Sequence, residues 1–328
     1  MRIVVSEMMW PEGLDILKRS SDVIYNPNFW SEPEKLRLAI AEADALIVRN
    51  QTQVDEVLLD QAKKLKVIGR LGVGLDNIDL LAATKRNIAV VYGKNANAIS
   101  VAEYVIHAML TVIRPLEQAS HSVRQGQWDR RQFTGGELYG KTLGLIGLGE
   151  IARRVAGRAN AFGMRVLGTD PFVTPYDYAV TELGIQIVSL DELLGQADFV
   201  SVHVPLTAQT RHLIDARTLS QMKPHAWLIN TSRGEVIDER ALDEALREGC
   251  IRGAVLDVLS QEPPPDDHPL LQHPNVLVTP HIAGLTEESQ TRIAVFVAEE
   301  VLHVLAGRPS LCIVNPSVIG PKGMEVRS

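Results

Sequence analysis

Three polar residues late in the chain carry side chains suited to acid–base chemistry on a carboxylic acid. They are Arg233, Glu262 and His281. Arginine binds a carboxylate through paired hydrogen bonds, histidine is the usual acid or base at neutral pH, and a nearby carboxylate stabilises the charged imidazolium and orients its ring. This set is typical of reversible hydride transfer to a keto acid. Each residue alone is also typical of a solvated surface position, so the prediction depends on their joint placement.

Each of the three residues follows a short apolar run that predicts a β-strand. The runs cover residues 227–229, 253–256 and 276–279. Ligands of open α/β sheets bind just beyond the carboxyl ends of parallel strands. We therefore expect the three side chains to meet in one crevice, although 29 and 19 residues separate them along the chain.

A glycine-rich turn begins at Gly147, between an apolar run and a helical segment. Gly147 permits a tight turn, Gly149 lets the backbone approach a pyrophosphate, and Ala152 is small enough for helix–sheet packing. Asp170 ends the next strand, 21 residues after Gly149, where an acid binds the ribose 2′-hydroxyl and disfavours NADP. An ordinary turn is the alternative for the two glycines. A second Gly-x-Gly turn at residues 72–74 has no such acid, so only the first predicts NAD binding.

Val- and Ile-rich runs alternate with helix-period segments along most of the chain. Predicted strands cover 45–48, 67–70, 143–146, 165–169, 199–203, 227–230, 253–256 and 276–278, and predicted helices include 101–114, 151–162 and 239–248. This alternation predicts parallel sheets with right-handed crossovers, and uninterrupted apolar strands predict sheets covered on both faces. The length of 328 residues and the similar runs at 66–74 and 143–149 indicate two α/β units.

Composition excludes several classes of protein. The 45% hydrophobic and 22% charged residues exclude disordered and collagen-like chains, and a net charge of −7 without basic runs argues against nucleic acid or anionic lipid as partner. Cys250 and Cys312 have neither metal nor redox spacing. The first residues predict a strand, not a signal peptide, and the apolar run 101–113 is too short to span a bilayer. We expect a cytoplasmic, reduced protein without metal or membrane partners.

With these motifs in place, the chain resembles the D-isomer-specific 2-hydroxyacid dehydrogenases, and among them the D-3-phosphoglycerate dehydrogenase-like members. The resemblance covers nearly the whole chain. The matching segments are residues 72–79, 140–149, 203–207, 230–234 and 279–284. Together these five segments are highly specific to the family.

The resemblance implies an α/β fold of two Rossmann-like, doubly wound parallel-sheet domains with a deep cleft between them. Residues 1–98 and 288–328 would form a flavodoxin-like substrate (catalytic) domain, and residues 99–287 an NAD-binding Rossmann domain. The family also implies a homodimer, in which a segment like Asp129-Arg130-Arg131 lies near the neighbouring subunit's active site. A solvated surface pair is the alternative for these arginines.

The resemblance implies that Arg233, Glu262 and His281 are catalytic, with His281 protonating the carbonyl oxygen during reduction. Backbone amides of Gly72, Val73 and Gly74 would bind the substrate carboxylate together with Arg233. The residues implied to contact NAD are Val73, Gly147, Gly149, Glu150, Ile151, Asp170, His203, Val204, Pro205, Thr231, Ser232, Arg233, Asp257, His281 and Gly284.

Departures from the family pattern narrow the expected reaction. Ala152 replaces the third glycine of the phosphate motif, which is tolerable because only small size is required. Formate dehydrogenases of the superfamily have glutamine at the position of Glu262, so formate oxidation is not expected. We also expect no serine feedback, because no added regulatory domain follows the matching region.

The substrate prediction depends on Arg49, because this residue matches a position that faces substrate in phosphoglycerate-type relatives. A second anionic group on the substrate would bind it, and 3-phosphoglycerate is the first candidate. Sulfolactate is the second candidate, and reduction of glyoxylate or hydroxypyruvate is the third. A different class also stays open, since some family members are NAD-sensing binding modules without catalytic duty.

Overall fold

The computed structural model describes residues 1–310 and 312–318. The chain divides into a terminal unit, Met1–Asn97 with Leu285–Ser328, and a central unit, Ala98–Gly284. Among the described residues, no single helix has the length and apolar character to cross a membrane, although Ala98–Ile113 and Leu116–Arg124 pass that test when taken together as a bent pair.

The terminal unit is built on a parallel sheet. Its strands are β1 (Arg2–Val5), β2 (Asp22–Tyr25), β3 (Ala45–Val48), β4 (Val67–Arg70) and β5 (Ala89–Tyr92), and its helices are α1 (Pro11–Lys18), α2 (Pro33–Ile40), α3 (Glu56–Gln61), α4 (Leu80–Lys85) and α12 (Glu287–Leu305), with 3-10 turns at Phe29–Ser31 and Pro316–Val318. The sheet order is β2-β1-β3-β4-β5, which is the flavodoxin-like order.

Helix α12 covers one face of the terminal sheet. Val5, Ile47, Gly69 and Val91 lie side by side across β1, β3, β4 and β5. A Cβ on Gly69 would lie 2.7 Å from the Val301 side chain of α12. The missing side chain of this glycine therefore lets a helix from the end of the chain pack directly on strands from its beginning.

The central unit is built on a second parallel sheet. Its strands are β6 (Thr142–Ile146), β7 (Arg165–Thr169), β8 (Gln186–Ile187), β9 (Phe199–Val202), β10 (Trp227–Asn230), β11 (Gly253–Leu256) and β12 (Val276–Val278), and its helices are α5 (Ala98–Ile113), α6 (Leu116–Arg124), α7 (Glu150–Ala161), α8 (Tyr178–Glu182), α9 (Leu190–Gln196), α10 (Ala216–Gln221) and α11 (Glu239–Arg247), with 3-10 turns at Gly234–Val236 and Pro269–Gln272. The order β12-β11-β10-β9-β6-β7-β8 is doubly wound around β6. The predicted class of two parallel-sheet α/β domains is therefore confirmed.

Buried side chains cover both faces of the central sheet, as its uninterrupted apolar strands predict. Leu143 and Leu145 of β6 pack with Val105 of α5 and Val155 of α7. The other face carries a separate cluster that includes Leu193 of α9. No group of three or more His, Cys, Asp or Glu side chains within residues 1–310 and 312–318 is arranged to hold a metal ion.

Six of the eight predicted strands have the observed bounds, and the other predicted elements differ from the observed ones by one to three residues. The helix predicted at 101–114 covers Ala98–Ile113, and the strand predicted at 199–203 ends at Val202. His203 still donates its N–H to Ile146, but Pro205 follows shortly and has no N–H for a sheet ladder. The predicted strand 143–146 begins at Thr142, and the predicted helices 151–162 and 239–248 cover Glu150–Ala161 and Glu239–Arg247.

Candidate active site

Three neighbouring strands of the central sheet lead to the predicted acid–base residues. Strands β10, β11 and β12 are parallel neighbours, and Arg233, Glu262 and His281 each lie in the loop after one of them. The structure brings Glu262 and His281 into direct contact, with 2.8 Å between Oε2 and Nδ1. Two residues that are 19 positions apart in sequence thus form one carboxylate–imidazole pair.

The Glu262 carboxylate is held from two sides. Its Oε1 accepts the N–H of Leu259 at 3.1 Å, while Oε2 faces His281. Burial opposes ionisation of Glu262 and so raises its pKa. The hydrogen bond and charge of His281 oppose this effect, as do the N–H of Leu259 and the charge of Arg233. Together they outweigh burial, and the Glu262 pKa lies below its usual value. Glu262 is therefore an ionised carboxylate at neutral pH, placed to stabilise a protonated His281.

The loop that carries Arg233 is fixed by the buried amide of Asn230, at the end of β10. Its Oδ1 accepts the N–H of Ser232 at 2.9 Å and its Oγ–H at 2.7 Å, and its Nδ2 donates to the Arg233 carbonyl at 2.8 Å. A Cβ on Gly234 would overlap the peptide bond between Leu259 and Ser260. The arginine loop and the Glu262 loop are therefore packed backbone to backbone.

The His281 backbone is in the left-handed region, with φ of 55°, which is uncommon for a residue other than glycine. Asp257, 1% exposed, holds it there. Its carboxylate accepts from the Thr279 hydroxyl at 2.6 Å and from the N–H groups of Ile282 and Ala283 at 2.8 Å. Burial raises the Asp257 pKa more than these bonds lower it. Asp257, predicted as a cofactor contact, is thus engaged in shaping the His281 loop.

Tyr104 is a residue of this site that the sequence analysis missed. Its hydroxyl lies 2.5 Å from Oγ1 of Thr279, on the loop that leads to His281, and burial raises its pKa. Tyr104 lies within the apolar helix α5, where it has the appearance of an ordinary core residue. Its position 175 residues before Thr279 leaves no local signal for the contact.

The predicted phosphate turn connects β6 to α7. Gly147 has φ of 86°, and a Cβ there would lie 2.8 Å from the His203 carbonyl oxygen. Gly149 is the N-cap of α7 and supplies no side-chain cap, while a Cβ on it would contact nothing within 4 Å. A helix start with uncapped N–H groups and open space beside it is suited to bind a phosphate group.

Asp170 lies directly beside this turn. Its Oδ2 accepts the N–H of Leu148 at 2.8 Å, and its Oδ1 accepts the N–H of Phe172 at 2.8 Å. Each carboxylate oxygen has further acceptor capacity for a hydroxyl. The geometry therefore fits the role of a ribose ligand next to a pyrophosphate turn.

Two polar residues of the strand-end loops also fit a bound dinucleotide. Burial lowers the pKa of His203 to about 4, so its ring is neutral at physiological pH. The Oγ1 of Thr231 is buried without a hydrogen-bond partner, and such an atom costs free energy unless a ligand or water satisfies it. The other predicted cofactor residues of the central unit lie at the same sheet edge or in the first turn of α7: Glu150, Ile151, Val204, Pro205, Ser232 and Gly284.

In the terminal unit, Arg49 lies on a loop held by a buried carboxylate. Glu7, 2% exposed, accepts the N–H groups of Arg49, Asn50, Gln51 and Thr52 at 2.8 to 3.1 Å. Burial lowers the pKa of the Arg49 guanidinium, and the charge of Glu7 partly opposes this. The sequence analysis missed Glu7, because an acid after β1 has no motif that links it to a loop more than 40 residues later.

The second glycine turn of the terminal unit follows β4. Gly72 has φ of 153°, its N–H donates to Arg70 and its carbonyl accepts from Gly93, both at 2.9 Å. Val73 is 40% exposed. The guanidinium of Arg70 lies so close to Gly72 that a Cβ there would overlap it. The Gly72 N–H is thus already bonded within the turn. The features of the turn that suit a carboxylate are the exposed Val73 and the neighbouring Arg70 guanidinium.

Comparison with known proteins identifies relatives over most of the chain. The model of the family described as D-isomer specific 2-hydroxyacid dehydrogenase, NAD binding domain, matches residues 106–283. The D-3-phosphoglycerate dehydrogenase of Methanocaldococcus jannaschii is 45% identical over 315 residues, which are 96% of this chain and 59% of that protein. The chain therefore spans about three fifths of that relative's length.

Solved structures share the fold. The structure of the TT0316 protein from Thermus thermophilus has a TM-score of 0.85 and 36% identity, and the match covers 96% of this chain and 100% of that one. The apo-structure of D-lactate dehydrogenase from Escherichia coli has a TM-score of 0.83 and 29% identity, with 96% and 100% covered.

Proposed function

The chain belongs to the D-isomer-specific 2-hydroxyacid dehydrogenase family, and on that premise we propose that it catalyses reversible hydride transfer between NAD and C2 of a D-2-hydroxy acid. The family's NAD-binding domain covers residues 106–283, which confirms the expected cofactor. The observation that supports catalysis is the 2.8 Å pair of His281 and Glu262 in that domain, in the loops that follow β11 and β12.

In this proposal His281 exchanges the substrate proton. Its Nδ1 is bound to Glu262, so Nε2 is the ring nitrogen that faces the substrate oxygen. During reduction His281 donates a proton to the carbonyl oxygen, and during oxidation it accepts the hydroxyl proton. The Glu262 carboxylate stabilises the imidazolium, and Arg233 binds the substrate carboxylate. Bound NAD supplies the hydride acceptor.

The residues that would hold the cofactor lie at the carboxyl ends of the strands of the central sheet. The N–H groups at Gly149 and the start of α7 would bind the pyrophosphate, and Asp170 would bind the ribose hydroxyls. The Thr231 hydroxyl, which is buried without a partner, would donate or accept a hydrogen bond. The acid at Asp170 favours NAD over NADP, because its charge repels a 2′-phosphate.

The substrate we propose first is 3-phosphoglycerate, with Arg49 as ligand of the phosphate and the turn at Gly72, Val73 and Gly74 as ligand of the carboxylate. The partly buried guanidinium of Arg49 and the name of the Methanocaldococcus relative support this choice. Sulfolactate, which also has two anionic groups, is the second choice. A smaller substrate such as glyoxylate, hydroxypyruvate or lactate would not need Arg49.

We further propose that residues 1–98 with 288–328 form the substrate domain, that residues 99–287 form the NAD-binding domain, and that two copies associate in the cytoplasm. Exposed apolar side chains on α6 and the segment after it support a dimer, since Leu116 is 71%, Val123 49% and Trp128 79% exposed. The free cysteines Cys250 and Cys312 are compatible with a reducing compartment.

The test is NADH formation at 340 nm with a panel of 2-hydroxy acids, using NAD and NADP side by side. The panel contains 3-phosphoglycerate, both sulfolactate enantiomers, D-lactate, D-glycerate and glycolate. We expect turnover with NAD and a preference for a doubly anionic acid. Arg49→Ala should raise KM for that acid far more than for D-glycerate, whereas Arg37→Ala, which changes a partly exposed arginine of α2 that pairs with Glu34, should alter neither.

Three outcomes would revise the proposal. A preference for small acids removes Arg49 from the site but keeps the mechanism. An equal effect of Arg49→Ala on KM for the doubly anionic acid and for D-glycerate would also remove Arg49 from the site. Absence of turnover across the panel, together with tight NADH binding, would instead identify a non-catalytic NAD-binding module.

A further inference from the structure

Glu239, the first residue of α11, makes contacts that a helix-start acid does not ordinarily make. Such acids commonly interact with the helix dipole and with solvent. The Glu239 side chain is only 16% exposed and turns onto the loop after β11. Its Oε1 accepts the N–H of Ser260 at 2.6 Å, and its Oε2 lies 2.7 Å from the Ser260 hydroxyl and 3.3 Å from Nε2 of His268.

The bound segment is the one that carries Glu262. Ser260 N–H belongs to the Leu259–Ser260 peptide bond, and the preceding N–H, of Leu259, donates to Oε1 of Glu262. The same peptide bond packs against Gly234, next to Arg233. Glu239 therefore binds one side of a peptide unit whose neighbours fix the Glu262 carboxylate and the arginine loop.

We propose that Glu239 is a positioning residue, which holds the loop at Ser260 and His268 so that the Glu262 carboxylate stays in contact with His281. The inference rests on the proposed function of that pair. Glu239 itself does not touch the reacting atoms. Without Glu239 the loop loses its hydrogen bonds to the start of α11, and we expect the Glu262–His281 distance then to vary. A misplacement of about 1 Å in a catalytic group costs about 100-fold in rate.

A matched control lies one turn further along the same helix. Asp243 is also nearly buried, and it binds His273 at 2.7 Å and Nη2 of Arg247 at 2.9 Å. Asp243 therefore joins α11 to the same segment of chain, but at His273, which lies well after Glu262 in the sequence. Asp243→Asn should cost stability as Glu239→Gln does, without disturbing the acid–base pair.

The experiment is a double-mutant cycle on the full chain. Glu239→Gln should lower kcat by about 10- to 100-fold with little change in the KM for NAD, because neither Ser260 nor His268, which Glu239 contacts, is a predicted cofactor residue. In a Glu262→Gln background the same change should cost less than about twofold, since residues that act through one group are not additive. Asp243→Asn should leave kcat within about twofold in either background. Ser260→Ala, which keeps the N–H contact, should have a smaller effect than Glu239→Gln.

The pH profile of reduction supplies a second readout. The charged groups that face Glu262 are His281 and Arg233. When the contact with His281 loosens, the Glu262 pKa rises from its lowered value toward its usual one. Because reduction needs ionised Glu262, the acid limb of kcat/KM should move to higher pH in Glu239→Gln. A purely structural effect would lower the whole profile without moving this limb.

Hydrogen–deuterium exchange tests the contact without any turnover. Glu239→Gln should speed exchange in the peptide that contains Leu259 and Ser260, and Asp243→Asn should not. Equal losses of kcat in both backgrounds, or unchanged exchange at Ser260, would overturn the inference. A Glu262→Gln variant with normal kcat would instead refute the proposed role of Glu262, so the two failures are distinguishable.

Discussion

Asp170 should set the choice between NAD and NADP, and Asp170→Asn is the change that tests it. Asparagine keeps the shape of the side chain but removes its charge, and its amide NH2 cannot accept a hydrogen bond. The variant therefore loses one of three hydrogen bonds. Two of them come from the N–H groups of Leu148 and Phe172, each at 2.8 Å, and the third comes from the ribose.

The expected loss of NADH affinity follows from the number and kind of hydrogen bonds that Asp170→Asn removes. A hydrogen bond to a charged group contributes about 1.5–3 kcal/mol, and each step of about 1.4 kcal/mol is tenfold in affinity. NADH should therefore bind Asp170→Asn about 10- to 150-fold more weakly. NADPH should instead bind more tightly, because the repulsion between Asp170 and the 2′-phosphate disappears. The preference for NADH over NADPH should fall by more than the loss of NADH affinity alone.

The assay is a fluorescence titration with NADH and NADPH, which needs no substrate. Asp177→Asn is the matched control, since Asp177 lies seven residues further on and its carboxylate is bonded to Thr174. This control removes the same charge and should leave the preference unchanged. An unchanged preference in Asp170→Asn would refute the reasoning. Equal weakening of both cofactors would show that Asp170 acts only by holding the glycine turn.

Three further changes test other parts of the structure. Glu7→Gln should lower the free energy of unfolding by about 2–4 kcal/mol in urea titrations, because it removes a buried charge that four N–H groups bind, and an unchanged midpoint would contradict this. Gly147→Ala should cost about 1–3 kcal/mol and weaken NADH binding, because φ is 86° there; equal stability and affinity would refute it. Burial raises the Asp198 pKa, but its bonds to Thr142, Lys223 and His225 outweigh this and lower the pKa below its usual value. The stability from Asp198 is therefore present above the usual aspartate pKa and is lost as pH falls through the lowered folded pKa. Asp198→Asn should flatten the stability–pH curve in that acidic range, and parallel curves would contradict this.

The sequence predicts the fold well, because the relevant signals are local. A buried parallel strand such as β3 is apolar at every position, so its type and bounds follow from four residues. The Gly147 turn is equally local, since a positive φ and a close approach require glycine. Strand ends then locate Arg233, Glu262 and His281 through the general rule for parallel sheets.

The supporting contacts do not follow from the sequence. Glu7, Tyr104 and Glu239 each bind a segment more than 20 residues away, and nothing in their local sequence specifies the partner. Asp257 is a partial exception, because its place at a strand end predicts involvement in the site. Its three bonds to the His281 loop depend on the register of β11 and β12. Side-chain partners across a sheet edge require the tertiary structure.

The most direct test of the central claim is the kcat of His281→Asn, measured together with its affinity for NADH. Asparagine is well tolerated at positive φ, so it preserves the loop at φ 55° while removing the acid–base group. We predict that kcat falls by about 100- to 10,000-fold and that NADH binds with nearly normal affinity. Turnover close to that of the unchanged protein would contradict the assignment of His281 as the acid–base residue.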